Sequence, residues 1–111
     1  MDGQAGPNPD QNDERVRRIV DVLITLQPGE VSTYGDIAAM AGYPKQARLV
    51  GRILSSTDVE VPWWRVVNAA GRLVPGHERV QTELLREEAV LVRDGKVTAA
   101  LSGRFGRRNK P

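Results

Sequence analysis

Apolar residues recur every three or four positions over residues 14–27, ERVRRIVDVLITLQ. Val16, Ile19, Val20, Leu23 and Ile24 form one stripe, with Arg15, Arg18 and Asp21 on the other side. That spacing predicts an amphipathic helix with a single buried face, ended by Pro28-Gly29. In the next segment, VSTYGDIAAMAGYPKQARLVGRILSS, Thr33 followed three residues later by Asp36 reads as a capping box. It opens a short helix over 35–41 that buries Ile37 and Met40. Gly42 stops this helix and Tyr43-Pro44 makes the turn. A second helix is expected over 45–54, with Ala47, Val50, Ile53 and Leu54 inward and Lys45, Arg48 and Arg52 outward. Two short helices joined by a tight Gly-containing turn make a helix-turn-helix.

The pattern then changes. VEVPWWRVVNAAGRLV has two apolar runs around a turn at 68–71, which reads as a hairpin. Residues 77–90 return to helical spacing through Val80, Leu84 and Leu85. VLVRDGKV predicts a second hairpin with its turn at Asp94-Gly95. The sum is an α+β fold, a small single domain of winged-helix type. Gly51 stands out inside the second short helix, where it costs about 1 kcal/mol relative to Ala. Either it packs against the protein's own backbone or side chains, or it lets a nucleic-acid backbone approach.

Composition adds boundaries. The chain has 111 residues, enough for one domain with a modest core. Residues 1–13 have almost no apolar content and no Lys or Arg, and read as a disordered acidic tail. The domain proper is expected over 14–102, followed by a basic tail, 103–111. Net charge is only +2, but thirteen of the sixteen basic residues are Arg. That bias suits forked phosphate contacts, and equally reflects the codon usage of a source genome. No apolar run approaches the length of a membrane span and no signal-peptide core opens the chain. A soluble, cytoplasmic monomer is expected. Cysteine is absent and His77 is the one histidine. Thiol chemistry, disulfides and Cys-ligated metal are therefore excluded, and no metal or other cofactor is expected.

The sharpest feature is Pro62-Trp63-Trp64-Arg65-Val66-Val67, which sets both tryptophans side by side. In an extended segment the two indoles leave on opposite faces. Together, VSTYGDIA, ARLVG and PWWRVV resemble the DNA-binding domain of O6-alkylguanine-DNA alkyltransferases, over roughly residues 14–92. The resemblance is closest to the alkyltransferase-like branch, in which the PCHRV motif of the active enzymes has lost its cysteine, most often to tryptophan. Here Trp63 stands at the cysteine position and Trp64 at the imidazole position. Alkyl transfer needs a soft nucleophile, and this chain has no thiol to supply one.

The resemblance implies a non-enzymatic DNA-damage sensor. It would bind double-stranded DNA containing O6-alkylguanine, evert the lesion, and flag it for nucleotide excision repair proteins. It implies that Arg48 fills the space left by the everted nucleotide. Tyr34 would press on the phosphate backbone, and Ser32 and Thr33 would hold phosphate or simply cap the helix. Trp63, Tyr34, Val66, Arg65 and Pro62 would form the lesion pocket, with Arg65 more an internal anchor than a DNA contact. Lys45, Arg52, Ala47 and Gly51 would complete the DNA-facing helix, the small residues suiting a narrow groove. The 72–76 loop, RLVPG, departs from the Tyr and small polar residues of the active enzymes. Two rival readings are a winged-helix transcription regulator and a hydrolase built on Ser32, Asp36 or His77.

Overall fold

A computed structural model describes residues 9–106, with side chains from residue 14 onward. Helix α1 (Pro9–Ile24) starts five residues before the periodic pattern does. Proline is at home in a first helical turn, where an N–H has no partner anyway. The expected tail over 1–13 is thus shorter by residues 9–13, and residues 1–8 lie outside the described part. Strand β1 (Glu30–Thr33) follows, then helix α2 (Tyr34–Met40), helix α3 (Ala47–Ser56) and a 3-10 turn over Trp63–Arg65. Strand β2 (Val66–Val67), helix α4 (Glu78–Glu87) and strands β3 (Leu91–Arg93), β4 (Lys96–Ala99) and β5 (Ser102–Gly103) complete the domain.

Strands β2, β1 and β5 form one sheet in that order, and both pairings are parallel. A parallel pair requires a crossover between its strands. Between β1 and β2 that crossover is the helix-turn-helix itself, α2 and α3. Register places Ser32 beside Val66 and Thr33 beside Val67 on one edge. On the other edge Glu30 lies beside Ser102 and Val31 beside Gly103. The expected hairpin around 68–71 is therefore not formed. A tight turn is present, with Asn68 Oδ1 accepting the Ala70 and Arg72 N–H groups, but its approach strand pairs with β1 instead. The second hairpin is as read: β3 and β4 are antiparallel, and Asp94 and Gly95 take φ values of 54° and 74°. Positive φ at both central residues is what a two-residue hairpin turn matched to strand twist demands.

Two apolar clusters lie on either side of this sheet. One joins Ile19, Leu23, Ile37, Val50, Ile53 and Val66, and the other joins Val31, Val67, Leu73, Leu85, Val92 and Val97. Adjacent Val66 and Val67 point into different clusters because successive strand residues face opposite ways. Three expected core positions are exposed instead: Ile24, Met40 and Val80. Each lies at the edge of its stripe. In α4 the inward place expected of Val80 belongs to Gln81, which is fully buried. Its Oε1 accepts the Val74 N–H at 2.7 Å, and its Nε2 donates to the carbonyls of Trp64 and Val66. A buried amide is tolerated because its polar atoms are matched.

The expected basic tail also begins later than residue 103. Gly103 is in β5, Arg104 forms a forked ion pair with Asp36, and Phe105 packs on the second cluster. Residues 107–111 lie outside the described part. No described helix is long and apolar enough to cross a membrane.

Candidate nucleic-acid interface

The Thr33 hydroxyl accepts the Asp36 N–H at 3.1 Å and so caps α2. Only this half of the expected capping box forms, since the Asp36 carboxylate is held by Arg104. Tyr34 is the first residue of α2, half-buried against the first cluster. Burial raises the pKa of its phenol, which keeps it a hydrogen-bond donor. Ser32 and Thr33 are only 5% and 3% exposed. Their hydroxyls therefore form no phosphate-binding surface, a correction to the sequence expectation.

Helix α3 begins at Ala47, so Lys45 is exposed in the preceding turn rather than in the helix. Arg48 and Arg52 are exposed on α3, and Ala47 is half-buried. Arg48, Gly51 and Ser55 follow at i, i+3 and i+7, one face of the helix. Gly51 and Ser55 line a cavity of about 420 Å³, closed by Tyr34, Leu54, Trp63, Val74 and His77. The Arg48 guanidinium makes no hydrogen bond or ion pair among the described residues. A volume of that size falls in the range of roughly 300–1,000 Å³ typical of small-molecule sites. Its walls are mostly apolar, and its polar groups are two hydroxyls, an indole N–H and an imidazole.

The tryptophan pair is not extended. Because Trp63–Arg65 is a 3-10 turn, the rings are not sent to opposite faces. They meet edge to face, 6.2 Å between centroids. Trp63 stands as a wall between the main cavity and a second one of about 460 Å³, lined by Ile24, Glu60, Val61, Pro62, Trp64 and Arg65. Pro62 thus belongs to the far side of that wall. Val66, expected in the pocket, is fully buried in the first cluster. It continues into β2, where alternation turns it away from the cavity.

Arg65 faces inward. Its Nε and Nη2 grip both carboxylate oxygens of Glu88, at 2.9 Å and 2.6 Å, and Nη1 donates to the Leu26 carbonyl. Trp64 Nε1 and the Gly29 N–H also donate to Glu88, and the Arg65 guanidinium lies 5.1 Å from the Trp64 ring centre. Burial alone would raise the Glu88 pKa. The hydrogen bonds from Arg65, Gly29 and Trp64 and the Arg65 charge outweigh it and hold the carboxyl below its ordinary value. This lattice ties the tryptophan turn to the end of α4 and to the α1–β1 loop. Trp64 is an internal strut.

Sequence reasoning missed Leu54, Ser55, Val74 and His77 as cavity residues, and Gln81 and Glu88 as supports. The imidazole touches Trp63, ring centres 5.7 Å apart. The motif signal was silent because these residues come from α3 and from the loop before α4. The hydrolase candidates are not brought together: Ser32 is buried in β1 and Asp36 is paired with Arg104. Among the described residues no three potential metal ligands cluster.

Residues 14–90 match the family model for the 6-O-methylguanine DNA methyltransferase DNA-binding domain. The chain is 37% identical over 84 residues to alkyltransferase-like protein 1 of Schizosaccharomyces pombe, covering 70% of this chain and 78% of that one. It is 32% identical over 93 residues to a DNA base-flipping protein of Escherichia coli, covering 79% and 72%. Its fold matches S. pombe Atl1 solved with damaged DNA containing O6-carboxymethylguanine, at a TM-score of 0.67 and 33% identity over 77% of this chain and 87% of that one. It also matches the O6-methylguanine methyltransferase of Mycobacterium tuberculosis, at 0.59 and 29% identity, but spans only 54% of that enzyme. With a cysteine-free PWWRV at the turn and relatives of these names, the chain belongs to the 6-O-methylguanine DNA methyltransferase DNA-binding family, in its alkyltransferase-like branch.

Proposed function

We propose that this protein is a non-enzymatic sensor of O6-alkylguanine in duplex DNA. Helix α3 lies against the DNA, Arg48 takes the place of the everted nucleotide, and the modified base enters the cavity beside Trp63. The observation that carries this reading is a cavity walled by an indole where the active relatives' motif has its cysteine. An indole offers a flat apolar face, and base–aromatic contacts are worth about 1–3 kcal/mol per base. Eversion costs a few kcal/mol, least for a damaged base. No cysteine exists to accept the alkyl group, so the bound lesion persists. Handing that complex to nucleotide excision repair is the step this persistence suits, and a monomer in the cytoplasm, on the nucleoid when bound, suffices for it.

The test is competition binding with one duplex carrying either guanine or O6-methylguanine at a single position. A clear preference for the modified duplex, independent of flanking sequence, is expected. Equal affinity for the two, with preference for one base sequence, would favour a transcription regulator and defeat the proposal. Mass spectrometry of the protein after incubation should show no added alkyl group.

A further inference from the structure

We infer that the cavity favours O6-alkylguanines whose alkyl group ends in a carboxylate, and that His77 sets this preference. The inference rests on the reading that an everted alkylguanine enters the cavity.

The charge of the lining carries the argument. No Asp, Glu, Lys or Arg lines the cavity, so an anionic head group meets no carboxylate there. His77 is the one lining side chain able to become a cation near neutral pH, since imidazole changes charge between about pH 5 and 8. It is also uncommitted. It stands at the cap position of α4 without using its side chain as a cap. Its ring touches Trp63 at an interplanar angle of 64°, an edge contact that does not stack the imidazole away. Because the two rings adjoin, a purine laid on Trp63 has its substituent beside the imidazole. The Tyr34 and Ser55 hydroxyls line the same space and can donate to the same carboxylate.

The charged neighbours leave His77 free for this role. The Glu78 carboxylate, next in the chain, accepts the Gly76 N–H at 3.0 Å. Arg79 approaches Glu83 at 3.7 Å on the outer side of α4. On α3 the charged groups are Arg48 and Arg52, neither of which lines the cavity. Across it stands only the neutral Tyr34 phenol.

The test compares three duplexes bearing O6-methylguanine, O6-carboxymethylguanine and its neutral isostere O6-carbamoylmethylguanine, each titrated at pH 6 and pH 8. The carboxylate stays ionised throughout this range. The quantity read is the affinity ratio of carboxymethyl to carbamoylmethyl within one protein, so a general loss of affinity cancels. For the unaltered protein a ratio of roughly three to ten at pH 6 is expected, as for a partly exposed ion pair, falling towards one at pH 8. His77→Gln should give a ratio that does not change with pH, and His77→Lys a ratio above one at both pH values. A ratio of one at pH 6, or the same pH response in His77→Gln, overturns the inference while O6-methylguanine is still preferred over guanine. Loss of that methyl preference in the unaltered protein overturns the underlying reading, and this inference with it.

Discussion

Gly51 shows how one residue can serve the site against the interest of the fold. A methyl group added there would meet only the Tyr34 ring, at 4.0 Å, an ordinary contact. The protein's own packing therefore does not require glycine. Gly51→Ala should stabilise α3 by up to about 1 kcal/mol, seen as a higher midpoint in urea. The same methyl would stand inside the cavity, so affinity for O6-alkylguanine should fall while plain-duplex affinity holds. A variant both more stable and equally able to bind the lesion would show that the cavity has room to spare. At this scale the chain was unevenly legible. Trp63, Tyr34 and Gly51 were readable because they sit in a contiguous motif or break a local rule. His77, Val74 and Gln81 were not, because their roles come from where α4 is placed, and nothing local in 72–81 announces it. Val66 was misassigned because membership of a motif says nothing about which way a strand residue faces.

Among the elements, the 3-10 turn and α3 divide the work. The turn is held by Glu88, whose carboxylate and the Arg65 side chain are each only 12% exposed. Removing one partner of such a pair leaves an uncompensated charge, and Glu88→Gln should cost about 3 kcal/mol at neutral pH. The sign of its pH dependence follows from the lowered folded-state pKa. The contribution is complete above the ordinary carboxyl value of 4.5 and is lost as pH falls through the lower folded value. The stability gap between the two proteins should therefore close in acid, as thermal melts from pH 7 to pH 3 can measure. Arg48 is the exposed counterpart on α3. Arg48→Ala should lower the lesion-to-plain affinity ratio roughly tenfold or more, equivalent to ~1.4 kcal/mol. The salt-dependent background set by phosphate contacts should largely survive; an equal loss on both duplexes would place Arg48 on phosphate alone. Helices were the legible elements, with ends shifted by a few residues. The 3-10 turn was not, since an aromatic–Arg run has no period.

For the whole molecule, the family match stops at residue 90, yet β5 lies beyond it and supplies the second neighbour of β1. Gly103 makes this pairing possible. Its φ is +86°, and a Cβ there would collide with the Val31 carbonyl oxygen. Gly103→Ala should destabilise the fold by at least ~2 kcal/mol, with early hydrogen exchange along Val31. The parallel sheet was the least legible level, because strands of two residues leave no pattern and their partners are remote. It also bears on how the protein is made. A polypeptide emerging from its N-terminus can assemble the helical half early, since most of its pairings are short in range. The strand at the centre stays bare along one flank until the last dozen residues have arrived. Biogenesis should thus pass through a helical half-molecule with a sticky ribbon edge, the form most prone to self-association and most in need of a chaperone's cover.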